Sequence, residues 1–175
     1  MNSPQRSWPG DIHRELSAAG VRQVAYVPDA GQAELIIRCQ RDNAMTAVPL
    51  TTEEEGIGVL AGAWLGGQRG VLLMQSSGIG NCVNMFGFAR TCRMPLLLLA
   101  TMRGQWGEFN PWQLPMGQGA QPVLEASDVM VFVVEEAAQA GETVAAAARM
   151  VFEGSSSAAV LINQRVVGAK TFDKD

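Results

Sequence analysis

Cysteine is scarce in this 175-residue chain, with only Cys39, Cys82 and Cys92. An odd number without C-x-x-C spacing indicates neither a disulfide framework nor a zinc site, so a reducing, cytosolic setting is expected. Histidine occurs once, as His13. No Ser-His-Asp arrangement can be built without it, and its place in the first amphipathic stretch suits a surface residue. Charge is sparse too: Asp, Glu, Lys and Arg make up 17% of the chain, at the low end for a solitary soluble domain. A surface so short of charge implies faces covered by other chains. The net charge of −4 leaves no basic footprint for nucleic acid. The longest apolar run, Pro95 to Ala100, is far too short to cross a bilayer. Met1 to Gly10 is polar and contains two prolines, unlike a secretory signal.

What the chain does have is apolar residues, 47% of the total, enough for a sizeable core. Apolar runs alternate with amphipathic stretches. Strands are predicted at Val24 to Val27, Met45 to Leu50, Gly70 to Gln75, Pro95 to Thr101, Met130 to Val134 and Ala158 to Ile162. Helices are predicted at Ser7 to Ala19, Gln32 to Arg41, Glu53 to Leu65, Asn81 to Cys92 and Glu136 to Phe152. Continuous apolar strands separated by helices imply a sheet covered on both faces. The expected fold is α/β: a single three-layer αβα domain over residues 1–175, with a mainly parallel six-stranded sheet. Met102 to Gln121, rich in Gly, Pro and Gln and carrying Trp106, Phe109 and Trp112, interrupts the alternation. It reads as a long loop after a strand's carboxyl end, either functional or an Ω-loop folded on its own aromatics.

Four stretches could carry chemistry. Thr51-Thr52-Glu53-Glu54-Glu55-Gly56-Ile57-Gly58 places three carboxylates at a helix start. Thr51 with Glu54, or Thr52 with Glu55, fits a capping box, and acids suit the positive end of the helix dipole. A catalytic reading needs one glutamate to point inward. Residues three and four apart share a helix face: Glu54 lies over Ile57, Gly58 and Ala61, a low row open to a flat ligand or another chain, which favours Glu54. Gln75-Ser76-Ser77-Gly78-Ile79-Gly80-Asn81 follows a buried strand and opens a helix, where backbone amides can meet an anion. It lacks the third glycine of a dinucleotide fingerprint and the lysine of a P-loop, so an ordinary strand-to-helix turn explains it equally well. Pro28-Asp29-Ala30-Gly31 suits a β-turn. Arg103, after the fourth strand, could clamp an anion bidentately or simply be solvated.

Taken in order, Val48-Pro49-Leu50-Thr51-Thr52-Glu53-Glu54-Glu55-Gly56-Ile57-Gly58, Ala61-Gly62-Ala63, Met74-Gln75-Ser76-Ser77-Gly78-Ile79-Gly80-Asn81, Met102-Arg103-Gly104 and Pro115-Met116-Gly117 resemble the sulfopyruvate decarboxylase α subunit. Phosphonopyruvate decarboxylases share much of the pattern. Both are thiamine diphosphate enzymes, and the chain is similar to their pyrimidine-binding domain from about Val24 to Ile162.

The resemblance implies a lyase, the pyrimidine-binding subunit of a 2-oxo acid decarboxylase converting 3-sulfopyruvate to sulfoacetaldehyde and CO2. Alternatives are a related phosphonopyruvate or other 2-oxo acid decarboxylase or carboligase, or a non-catalytic scaffolding module of the same fold. The family's Glu-x-Gly-x-Gly pattern falls on Glu54, whose implied role is to hydrogen-bond the cofactor's aminopyrimidine ring nitrogen and so activate the cofactor. Ser77, Gly78, Gly80 and Asn81 are the implied cofactor contacts, and Asp29, Arg103 and Gln118 the implied substrate contacts. No residue of this chain is expected to ligate metal. The family holds the diphosphate and Mg²⁺ with a Gly-Asp-Gly motif followed by Asn-Asn, and no Gly-Asp-Gly occurs here. A β subunit is therefore the expected partner in a hetero-oligomer. After Pro-Met-Gly the family pattern has arginine where this chain has Gln118, which argues against a strongly anionic substrate tail.

Overall fold

Residues 96–101 are apolar without alternation and therefore need cover on both sides. The computed structural model, which describes residues 7–168, supplies it. The helices are α1 (Trp8–Ala18), α2 (Ala33–Arg41), α3 (Glu53–Leu65), α4 (Ser76–Thr91), α5 (Leu114–Ala126), α6 (Ala140–Gly154) and the short α7 (Gln164–Val167). The strands are β1 (Val21–Tyr26), β2 (Thr46–Pro49), β3 (Arg69–Gln75), β4 (Leu96–Thr101), β5 (Met130–Val134) and β6 (Ser157–Ile162). They form one sheet in the order β2-β1-β3-β4-β6-β5. Every pairing in it is parallel.

Successive residues of a strand face opposite sides, and β4 splits accordingly. Leu97 and Leu99 join a core with Ile12 and Leu16 of α1, Leu35 of α2, and Val144 and Val151 of α6. Leu96, Leu98 and Ala100 join another with Ile57 and Leu60 of α3, Ile79 and Phe86 of α4, and Leu124 of α5. The molecule thus has an α1/α2/α6 layer and an α3/α4/α5 layer. Among the described residues, no helix is long and apolar enough to cross a membrane.

Two expectations need correction. Helix α4 begins at Ser76, five residues before the expected start at Asn81, so Ser77-Gly78-Ile79-Gly80 is helical rather than a loop. The stretch expected to be loop as far as Gln121 is loop only to Asn110. A 3-10 turn at Pro111–Gln113 follows, and then α5. Pro115 lies in α5's first turn, where no intrahelical N–H is lost, but Pro122 lies inside the helix. Together with Gly117 and Gly119 it lowers local helix preference. Burial of Ala120 and Leu124 against the core overrides that preference.

Candidate active site

With all strands parallel, the segments after β1, β2, β3, β4 and β6 leave the sheet at one edge, where open α/β sheets bind ligands. That edge brings together the starts of α3 and α4 and the residues around Asp29, Arg103 and Gln164.

The first turn of α3 separates its three glutamates. Thr52 is the N-cap in extended conformation, but its side chain makes no capping bond. Instead Glu55 reaches back, its Oε2 accepting from the backbone N–H of Thr51 at 3.0 Å. The bond falls one residue before the N-cap, so neither half of a capping box is formed. Glu53, only 8% exposed, is the carboxylate that turns inward, onto the face shared with buried Gly56, Ile57 and Leu60. The expectation that Glu54 is the inward residue is corrected on this point: the helix enters with its first residue facing the core. Glu54 is half-buried. Its Oε2 is shielded from solvent and has no hydrogen-bond partner among the described residues.

Glu53 meets α4. Its Oε2 accepts from Asn81 Nδ2 at 2.7 Å. A Cβ added to Gly78 would stand 2.5 Å from Glu53 Cδ and Oε1, so Gly78 is glycine because a carboxylate occupies its side-chain space. Ser77 is half-buried and Gly80 exposed, with Met116 of α5 3.5 Å from where a Gly80 Cβ would sit. The Cys82 thiol beneath is pushed up to about 12, first by burial and then by the charges of Glu53 and Glu54, which keeps it protonated and unreactive.

The second group lies after β1 and β4. Asp29 Oδ2 accepts from Thr101 Oγ1 at 2.7 Å, and Asp29, Gly31, Thr101 and Arg103 line a cavity of about 120 Å³. Arg103 is not a free anion clamp in this chain. It donates bidentately to Glu108, Nε to Oε2 at 2.6 Å and Nη2 to Oε1 at 2.7 Å. Glu108 also accepts from the N–H of Gly104 and of Asn110 and from Gln164 Nε2. These donors, the Arg103 guanidinium foremost, hold the Glu108 carboxyl down at about 2. The same hydrogen bonds raise the guanidinium of Arg103. Gln164 closes the segment by accepting from the N–H of Gln105 and of Trp106. Arg165 stands 5.0 Å over the Trp106 ring, while Trp112 is 83% exposed, so this polar network holds the loop together with the Trp106 contact.

Gln118 is exposed on α5 and lines a different cleft, of about 380 Å³, with Met102, Gln105 and Gln121. The structure brings Asp29 and Arg103 together, and Glu54 with Gly78 and Asn81 through Glu53, but it does not bring Gln118 into the Asp29–Arg103 cavity. The sequence does not single out Glu108 and Gln164, and Glu53 enters it only as one of the three acids at the start of α3. The only hint was an acid five residues after Arg103 in a glycine-rich stretch. A groove of about 620 Å³ between α1 and α2 has most of its polar lining engaged internally, His13 with Asp42 and Arg38 with Glu34. Among the described residues no group of three or more His, Cys, Asp or Glu is arranged to hold a metal ion.

No protein-family model matches the chain. It is 36% identical over 122 residues to the sulfopyruvate decarboxylase subunit alpha of Methanococcus maripaludis, covering 69% of this chain and 73% of that protein. The protein of the same name from Methanothermobacter thermautotrophicus is 30% identical over 153 residues, 87% of this chain and 93% of its own length. A phosphonopyruvate decarboxylase of Streptomyces viridochromogenes is 33% identical over 141 residues, and there the chain spans 36% of the protein. In fold, the chain is similar to a 2-oxoglutarate:ferredoxin oxidoreductase from Magnetococcus marinus. The TM-score is 0.73 at 12% identity, covering 93% of this chain and 29% of that one. With the parallel sheet and the carboxylates at its carboxyl edge, these identities make the chain a member of the sulfopyruvate decarboxylase alpha-subunit family.

Proposed function

We propose that residues 1–175 form one pyrimidine-binding domain, the cytoplasmic alpha subunit of a thiamine diphosphate-dependent 2-oxo acid decarboxylase most like 3-sulfopyruvate decarboxylase. It works in a hetero-oligomer whose beta subunit holds the diphosphate and Mg²⁺. The observation that carries this reading is the Glu54 Oε2 atom, shielded and without a donor among the described residues. Leaving a buried acceptor unmade costs about 1–3 kcal/mol, a cost that a protonated ring nitrogen of an aminopyrimidine would remove. When bound, thiamine diphosphate supplies the electron sink for decarboxylation. Glu54 holds and returns the proton at that nitrogen. Ser77, Gly78, Gly80 and Asn81 shape the corner beside it at the start of α4. Asp29 and Arg103 stand on the substrate side, with Gln118 farther out on α5. Because Glu108 already balances the charge of Arg103 and takes two of its N–H groups, a related 2-oxo acid with a less charged tail is the second reading.

The test is co-expression with a beta-type partner carrying Gly-Asp-Gly and Asn-Asn. The purified chain alone should bind thiamine diphosphate poorly and turn over no 2-oxo acid, and the assembly should do both. Assays against sulfopyruvate, phosphonopyruvate and uncharged-tail 2-oxo acids then choose the substrate. Turnover by the chain alone overturns the two-subunit reading. An assembly that binds no cofactor leaves the chain a scaffold.

A further inference from the structure

Glu53 and Glu54 are adjacent and carry the same group, yet their surroundings are opposite. Glu54 keeps a shielded oxygen without a donor, whereas Glu53 is only 8% exposed and is engaged by Asn81. An acid that only complements the helix dipole has no reason to be buried, because anywhere in the first turn serves and burial of a carboxylate is costly unless it is bonded. The first turn of α3 is also poorly tethered. Its leading N–H groups have no intrahelical partners, and the N-cap side chain of Thr52 makes no capping bond. Glu53 provides the tether across to the next helix. Its carboxylate occupies the space over Gly78 and grips Asn81, which lies three residues on and shares Gly78's face of α4.

We infer that Glu53 is a positioning residue: by gripping Asn81 and filling the glycine notch at Gly78 it fixes the first turn of α3 against α4, and with it the place of the Glu54 carboxylate. This rests on the reading of Glu54 as the group that meets the cofactor. Glu53 itself touches neither cofactor nor substrate. Gly78→Ala evicts the Glu53 carboxylate without changing any charge, and Glu53→Gln keeps an oxygen that can accept from Asn81. Asn81→Asp sets two carboxylates face to face, and at such separations a pair must share a proton.

The experiment uses the assembled enzyme loaded with thiamine diphosphate and reads four quantities: hydrogen–deuterium exchange at C2 of the bound cofactor without substrate, kcat and KM for the preferred 2-oxo acid, and Tm. Misplacement of a reacting group by about 1 Å can cost about 10²-fold. Glu53→Ala and Gly78→Ala should each slow exchange and kcat by about 10–100-fold with KM little moved. Their combination should be no worse than either alone, as expected for groups acting as one unit. Glu53→Gln should stay near wild type. Asn81→Asp should recover exchange as pH falls, a dependence absent from wild type.

The inference is overturned if Glu53→Ala and Gly78→Ala leave exchange intact while Glu54→Gln abolishes it. It is equally overturned if Glu53→Gln fails to rescue and exchange falls only in step with Tm, since Glu53 then serves stability alone. If Glu54→Gln itself exchanges normally, the reading of Glu54 falls and takes this inference with it. The two failures are therefore distinguishable.

Discussion

Arg103 and Glu54 are both drawn in from the surface at the carboxyl edge of the sheet, and they are treated in opposite ways. Arg103 is buried with Glu108, whose carboxylate, 2% exposed, collects donors from Arg103, Gly104, Asn110 and Gln164. Glu54 is more open, yet one of its oxygens is shielded and has no donor. A saturated ion pair fixes the shape of the chain that contains it. A shielded acceptor left short raises the energy of the isolated chain and lowers it again when a donor arrives. Both residues are ionisable and both follow strand ends, and their hydrogen-bond inventory sets them apart.

The largest expected effect is at the unsatisfied site. In the assembled enzyme Glu54→Gln should lower kcat by ~10²–10⁴-fold, the range for a lost acid/base contribution, with Tm almost unmoved. Glu53→Gln and Glu55→Gln should cost far less. Equal losses in all three variants would erase the contrast.

At the saturated site the loss should appear in stability instead. Glu108→Ala strands a buried guanidinium, and removing one partner of a buried pair costs about 3–5 kcal/mol, measurable by urea unfolding. Arg103→Ala should cost less, because Gly104, Asn110 and Gln164 still donate to Glu108. If Arg103→Ala also raises KM for a charged 2-oxo acid, the guanidinium leaves Glu108 in the assembly and the contrast narrows.

The same pair has a pH signature. The Glu108 carboxyl is lowered from 4.5 to about 2. Its contribution to stability is therefore fully present above about 4.5 and is lost as pH falls toward 2. Trp106 fluorescence in wild type should report loop release within that window, and Glu108→Gln should abolish the dependence.

Gln118→Arg should give the smallest change. On exposed α5 an added charge is worth about 0.2–1 kcal/mol, so kcat/KM for sulfopyruvate should rise only severalfold over uncharged-tail acids, with Tm unchanged. No change in that ratio would remove Gln118 from the substrate side.

The strands and α3 were legible because their signals are local. Uninterrupted apolar runs marked the β-strands, and Glu53 to Leu65 carried both an acidic start and a Gly66-Gly67 stop, matching the observed helix. Helix α5 was not legible, since Pro115, Gly117, Gly119 and Pro122 speak against a helix and only long-range burial of Ala120 and Leu124 forms it. At the site, the row Glu53, Gly56, Ile57, Leu60 already contained the buried face of α3. Assigning the inward position to Glu54 weighed the openness of its own row over the apolar character of its neighbour's. Glu108, five residues after Arg103, lies in a stretch with no helical or strand period to mark the pairing, and Gln164 could not be foreseen because its bond to Glu108 spans 56 residues.

Some helical glycines of the α3/α4/α5 layer, unlike Gly56, Gly78 and Gly117 beside them, have open space where a side chain would stand, and this bears on durability. A Cβ at Gly58 or Gly62 of α3, Gly87 of α4 or Gly119 of α5 would meet no atom within 4 Å, whereas one at Gly141 of α6 would stand 3.2 Å from Asp11. Glycine in a helix interior gives up roughly 0.5–1 kcal/mol against alanine. Together the four forgo about 2–4 kcal/mol, set against a domain's usual 5–15 kcal/mol. Thermostability of the separate chain is thus not what this layer's composition maximises. Alanine at these four positions is the shortest route to a hardier preparation of the subunit by itself.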